Sequence, residues 1–140
     1  MTRFTDPKVR LDAMAEYDIA VVCQRCSARA VVTKFGDHRR LVCTGCAHAE
    51  DRVVRRSCWG GPIDPYFWRP LWFQADFRGH TLWAFNRTHL SLIEDYVAAS
   101  IRERGAGPSM MSMVNKLPLW IKTAKNREAV LHTIARMKRS

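Results

Sequence analysis

A chain of 140 residues holds one compact domain or two very small ones, and a hydrophobic content of 47% excludes a wholly disordered polypeptide. A net charge of +10 raises the prior for a polyanionic partner, nucleic acid first. No apolar run approaches the roughly 20 residues that cross a bilayer. Residues 1–9 are polar and charged, unlike a secretion signal, so a cytoplasmic protein with no membrane partner is expected.

The charge is unevenly spread. Residues 20–57 carry eight Lys/Arg against three Asp/Glu, residues 58–104 five against five, and residues 105–140 seven against one. Two basic regions thus flank a neutral middle. The plainer alternative is a solvated basic face that only aids solubility.

The first predicted elements surround two cysteine pairs. Residues 18–22 lead as a strand into Cys23-Gln24-Arg25-Cys26, and Cys43-Thr44-Gly45-Cys46 follows after an interval of sixteen residues. Between them, residues 30–35 are β-branched and strand-like, Gly36-Asp37 supplies a turn, and residues 39–42 return. Residues 51–55 alternate in character and leave the second pair as another strand. Two C-x-x-C pairs at this separation fit a four-cysteine zinc site. Two intervening residues let one tight turn present both sulfurs at about 2.3 Å from a shared tetrahedral ion.

One structural Zn2+ held by Cys23, Cys26, Cys43 and Cys46 is therefore expected. Four thiolates leave no open position for water or substrate, so no catalysis is expected of the metal. His38 and His48 are the nearby alternative ligands, and His48 reads better as a residue at the surface or behind the ligands. Cys58, without a partner at ligand spacing, reads as a small buried hydrophobe. The residues of this region resemble the zinc-ribbon family, whose knuckles often carry Gly after the second cysteine. Ser27 and Ala47 stand at those positions here.

Residues 60–65 are turn formers and mark a boundary, giving an N-terminal segment with the ribbon over 1–57 and a second region over 58–140. Nine of the fourteen aromatic residues lie between Trp59 and Phe85. Residues 66–74 and 80–85 read as two strands of a hairpin around Gly79, the first of them an edge or broken near Pro70. Trp68, Trp72, Phe73 and Trp83 either stack unpaired bases or fill the core, and burial is the reading favoured here.

Asn86 is placed to cap a helix over 87–104, with Leu90, Ile93, Val97 and Ile101 on one face and Gly105 to Pro108 ending it. A methionine-rich turn over 110–114 follows. A last helix starts near Asn126, with Val130, Ile134 and Met137 facing inward. Lys122, Lys125, Arg127, Arg136, Lys138 and Arg139 gather in and around it. The motifs over 79–87 and 117–127 resemble a group of small uncharacterised bacterial zinc-ribbon proteins. That resemblance implies the architecture and a bacterial cytoplasmic setting, and no activity.

The expectation is an α+β chain: a four-cysteine zinc ribbon of short antiparallel strands, an aromatic β-hairpin, and two to three helices. Its expected role is non-enzymatic binding of DNA or RNA. Arg25, Arg29, Lys34, Arg39 and Arg40 of the ribbon, with Lys122, Lys125 and Arg127, would contact phosphates. The alternative is an adaptor docking a larger protein complex through the aromatic hairpin or the methionine turn. An enzymatic reading would draw on His80, His89, Cys58 and Asp76, and no nucleophile–base–orienter set is legible among them.

Overall fold

Alternating burial organises the cysteine-bearing region. Ile19 and Val21, Ala30 and Val32, and Leu41 and Cys43 are buried, while the residues between them are more exposed. That period of two is what a sheet with one covered face requires. The structure, a computed structural model, describes residues 3–5, 7, 11–15, 18–53, 61–99, 101–103 and 117–140.

In chain order the elements are β1 (Arg3–Thr5), α1 (Leu11–Met14), β2 (Ile19–Val22), β3 (Arg29–Phe35), β4 (His38–Cys43) and β5 (Ala49–Val53). These are followed by β6 (Phe73–Phe77), β7 (His80–Ala84), α2 (Arg87–Ala98), β8 (Ile101–Glu103), α3 (Leu119–Lys122) and α4 (Arg127–Lys138). The expected α+β class, with its cysteine-bearing strands, hairpin and helices, is what the chain forms. Contacts gather it into two units, one of Ala15–Asn86 and one of Met1–Met14 with Arg87–Ser140. The boundary expected between residues 57 and 58 lies outside the described residues.

Within Ala15–Asn86, strands β2 to β5 form an antiparallel sheet in sequence order. Gly36, at φ +62°, takes the left-handed position in the β3–β4 turn, where Phe35 pairs with His38. The aromatic stretch joins the free edge of β2. Val22 N donates to Pro70 O at 2.9 Å, Trp72 N to Ala20 O at 2.9 Å, and Ala20 N to Phe85 O at 2.8 Å. Asn86 Nδ2 donates to Asp18 O at 2.9 Å, tying the end of this stretch to the start of β2.

The hairpin differs from expectation in its first strand, which begins at Phe73 rather than near Tyr66. Asp64 is the reason. Its buried carboxylate accepts from the Tyr66 and Phe67 amides at 2.9 and 2.7 Å through Oδ1, and from the Arg69 amide at 2.7 Å through Oδ2. Those bonds curl 64–69 into a loop, and local side-chain bonding of this kind competes directly with strand formation. The β6–β7 turn is Arg78-Gly79, with φ of +48° and +86°, as a two-residue hairpin of matching twist demands.

Of the four aromatics expected in the core, Phe73 alone is fully buried, and Trp68 departs from the expectation. Tyr66, Phe67, Phe73, Phe77 and Phe85 are buried, Trp72 and Trp83 are half-buried, and Trp68 is exposed. At roughly 150–250 Å² each, these rings supply a large part of the core of a unit this small.

In the other unit, β1 pairs in parallel with β8. The helix expected to reach residue 104 ends at Ala98, and Ile101, expected on its apolar stripe, belongs to β8. A β-branched residue suits either state, and pairing with the distant β1 segment decides. Phe4 meets the Tyr96 ring edge-on with centroids 5.4 Å apart. Buried Leu90, Ile93 and Val97 of α2 and Val130, Ile134 and Met137 of α4 form the expected faces, and α2 packs on α4. Lys138 Nζ bonds Glu94 Oε1 at 2.7 Å across that pair. The Gly105–Pro108 stop and the methionine turn over 110–114 lie outside the described residues. Among the described residues no helix is long and apolar enough to cross a membrane.

Candidate metal centre

The two knuckles are the turns after β2 and after β4, and the β3–β4 hairpin between them folds one back beside the other. Cys23 and Cys43 are buried at the strand ends, whereas Cys26 and Cys46 are exposed at the turn tips. All four Sγ atoms lie within 4.8 Å of one another. Cys23 Sγ stands 3.7 Å from Cys46 Sγ, and Cys26 Sγ 3.4 Å from Cys43 Sγ. A tetrahedron with metal–sulfur bonds of about 2.3 Å has edges of roughly 3.8 Å, so the donor set fits one tetrahedral ion.

Backbone amides point at the sulfurs. Arg25 N lies 3.3 Å from Cys23 Sγ, Gly45 N 3.2 Å from Cys43 Sγ, and Cys46 N 3.4 Å from Cys43 Sγ. The Cys46 amide, with that of Gly45, lowers the Cys43 thiol to about 6 against the opposition of burial. At Cys26 the Ala28 amide favours the thiolate, but the Cys43 thiol, burial and the two other cysteines push it up to about 12. Thiolates this close repel one another. A shared cation is what lets all four ionise together.

The knuckle backbones explain the two departures from glycine. Ser27 and Ala47 adopt φ of +64° and +63°. The turn imposes the left-handed conformation after the second cysteine, and two non-glycine residues accept it at a cost of roughly 1–2 kcal/mol each. The knuckles are also tied to each other, since Thr44 Oγ1 donates to Arg29 O at 3.0 Å.

Glu50 on β5 joins the surroundings of the centre. It accepts from His48 Nε2 at 2.9 Å, from Arg69 Nη2 at 3.3 Å and from Gln24 Nε2 at 3.4 Å. Burial opposes its ionisation, and the His48 and Arg69 bonds outweigh burial and hold the carboxyl below its usual range. His48 thus sits behind the second knuckle on a carboxylate. Sequence reasoning missed Glu50, because the cross-strand step that brings it to Arg69 has no local signature.

The cationic residues expected at a phosphate surface divide. Arg25, Arg29 and Lys34 are exposed, as is Lys125, and Lys122 and Arg127 are half-buried. Arg39 is a correction: it is only 2% exposed, and its guanidinium lies over the Tyr66 ring, 4.4 Å from the centroid. Its place on the covered face of β4, opposite the aromatic loop, takes it out of the surface set. Arg40 faces the open side, but Asp51 holds it through bonds of 2.7 and 3.1 Å, and its guanidinium covers Phe35 at 3.8 Å.

Of the residues considered for catalysis, Asp76 and His80 do not face each other. Asp76 and His80 lie at the tip of the β6–β7 hairpin, in neighbouring cross-strand pairs that point to opposite faces. His89 is buried on α2, and Cys58 lies outside the described residues.

Fold and donor set together define a zinc-ribbon-like metal-binding module with a four-cysteine centre. No protein family, curated protein or solved structure matches the chain.

Proposed function

We propose that the chain is a zinc-stapled, non-enzymatic module of the cytoplasm that binds nucleic acid through basic surfaces. Zinc is the metal that four thiolates in a closed tetrahedral set favour, with a structural role. The observation that carries the nucleic-acid reading is the exposure of Arg25 in the first knuckle and of Arg29 and Lys34 on β3, in a chain of net charge +10. Lys122, Lys125 and Arg127 add cations on the helical unit. Contacts from such residues to phosphates confer affinity without sequence choice.

The test is binding of the zinc-loaded protein to single- and double-stranded DNA and RNA across a salt series. Affinity should fall linearly on a log–log plot, with a slope that counts the phosphates engaged. Absence of binding at low salt would discard the reading.

A second reading, docking on a larger protein complex, draws on a different observation. The open face of the sheet displays Phe35, Val42 and Val53, of which Val53 is 61% exposed. Exposed apolar residues on one face suit a protein contact, and the Arg40–Asp51 pair between Val42 and the other two would form its polar part. The aromatic hairpin suits it less, because most of its rings are buried.

A further inference from the structure

The covered face of the sheet ends in a row of cations. Register sets Lys34 on β3 opposite Arg39 on β4, and Arg39 opposite Arg52 on β5, so the three side chains leave the same side of adjacent strands. Directly opposed like charges disfavour a sheet. Here Arg39 and Arg52 meet the aromatic loop over 64–69, and Lys34 ends the row beyond them. Arg39 lies over Tyr66, and the Arg52 guanidinium stands 5.0 Å from the Trp68 ring centroid and 5.5 Å from that of Phe67. Among the described residues Arg52 forms no ion pair.

Trp68 is the unusual member. It is 49% exposed although residues 64–67 before it are buried, and its φ of +57° is a conformation that bulky residues rarely adopt. The loop imposes it. The Asp64 carboxylate holds the amides of residues 66, 67 and 69, and the Trp68 amide donates to Asp64 O at 3.2 Å. An indole presented to solvent on a strained, over-determined backbone is a feature that binding sites retain.

We infer that Trp68, Arg52 and Lys34 form a site for single-stranded nucleic acid, the indole stacking a base and the two cations holding flanking phosphates. The inference rests on the nucleic-acid reading above and narrows it to unpaired strands, because a stacking platform needs a base whose face is free. Arg39, too buried to touch a phosphate, adds its charge to the field behind the other two. A duplex would meet the cations without using the ring.

The experiment measures a short labelled RNA and its DNA counterpart, single-stranded and duplex, against the zinc-loaded full chain by anisotropy over a salt series. Trp68→Gly removes the ring while suiting the left-handed backbone, and a thermal melt beside the wild type separates lost binding from lost fold. It should weaken single-strand binding about tenfold or more and leave duplex binding nearly unchanged. Trp68→Phe should retain most of the affinity. Arg52→Gln should reduce the salt slope by about one. Wild-type binding that Trp68→Gly does not alter would overturn the site and leave the nucleic-acid reading to the other cations. No wild-type binding at low salt would overturn both, and Trp68 would then pass to a protein partner.

Discussion

Gly45 in the second knuckle lies directly against Ala28 beside the first: a methyl group at position 45 would stand 2.8 Å from the Ala28 Cβ and 3.4 Å from Cys26 Sγ. The requirement for glycine there is one of space, since the approach of the two turns brings the four sulfurs together. Gly45→Ala should cost about 1–3 kcal/mol through overpacking and weaken metal binding. Ala28→Gly in the same chain should restore both. Thermal melts and competition with a chelator read the effect, and an unperturbed single variant would show that the knuckles separate freely.

Ser27 and Ala47 make the opposite prediction. Both hold a left-handed backbone with a Cβ present, so Ser27→Gly and Ala47→Gly should each stabilise the metal-loaded protein by about 0.5–1 kcal/mol, after the greater freedom of glycine in the unfolded chain is offset. Denaturant midpoints at constant slope measure this. A loss of stability would mean that the side chains contribute more than their backbones cost.

Removal of one ligand tests the centre itself. Cys23→Ser or Cys43→Ser should release the metal and unfold the strands of the ribbon, because binding energy of order 10 kcal/mol is folding energy in a structural zinc site. Metal content and amide exchange over residues 19–53 report the two events. A variant that kept its metal and its melting temperature would refute the four-cysteine assignment.

His89 predicts a pH dependence in the helical unit. Burial lowers its folded pKa to about 4 from an unfolded value of 6.5. Between those values the unfolded chain binds the proton and the folded one does not, so stability is complete above pH 6.5 and declines as pH falls toward 4. The full effect is about 3 kcal/mol. Cysteine protonation adds its own acid sensitivity, so the informative quantity is a difference. His89→Leu should show a smaller loss of stability between pH 6.5 and 5 than the wild type, and equal slopes would remove His89 as the cause.

Much of the site was legible in the residues alone. Spacing of Cys23, Cys26, Cys43 and Cys46 identified the donor set, because C-x-x-C pairs meet their geometric requirement within one turn. Alternation located β2 to β4 to within a residue or two, and the faces of α2 and α4 followed from helical period. These features are local, and each is a property of a few neighbouring residues.

What needed the tertiary structure were relationships across strands and across the chain. Arg39 and Arg40 are adjacent in sequence and both basic. The pleat sends one beneath Tyr66 and the other to Asp51, and only knowing which face is covered separates them. Ile101 fitted the α2 stripe until β1 offered it a strand partner. Glu50 and Arg52 gained their partners by lying beside the aromatic loop. Asp64 looked like part of a boundary and instead organises the loop that presents Trp68. The sequence by itself determined the four-cysteine cluster and the class of fold, through short-range geometry. Only the packed chain decided which charges and rings reach solvent, because burial depends on partners distant in sequence.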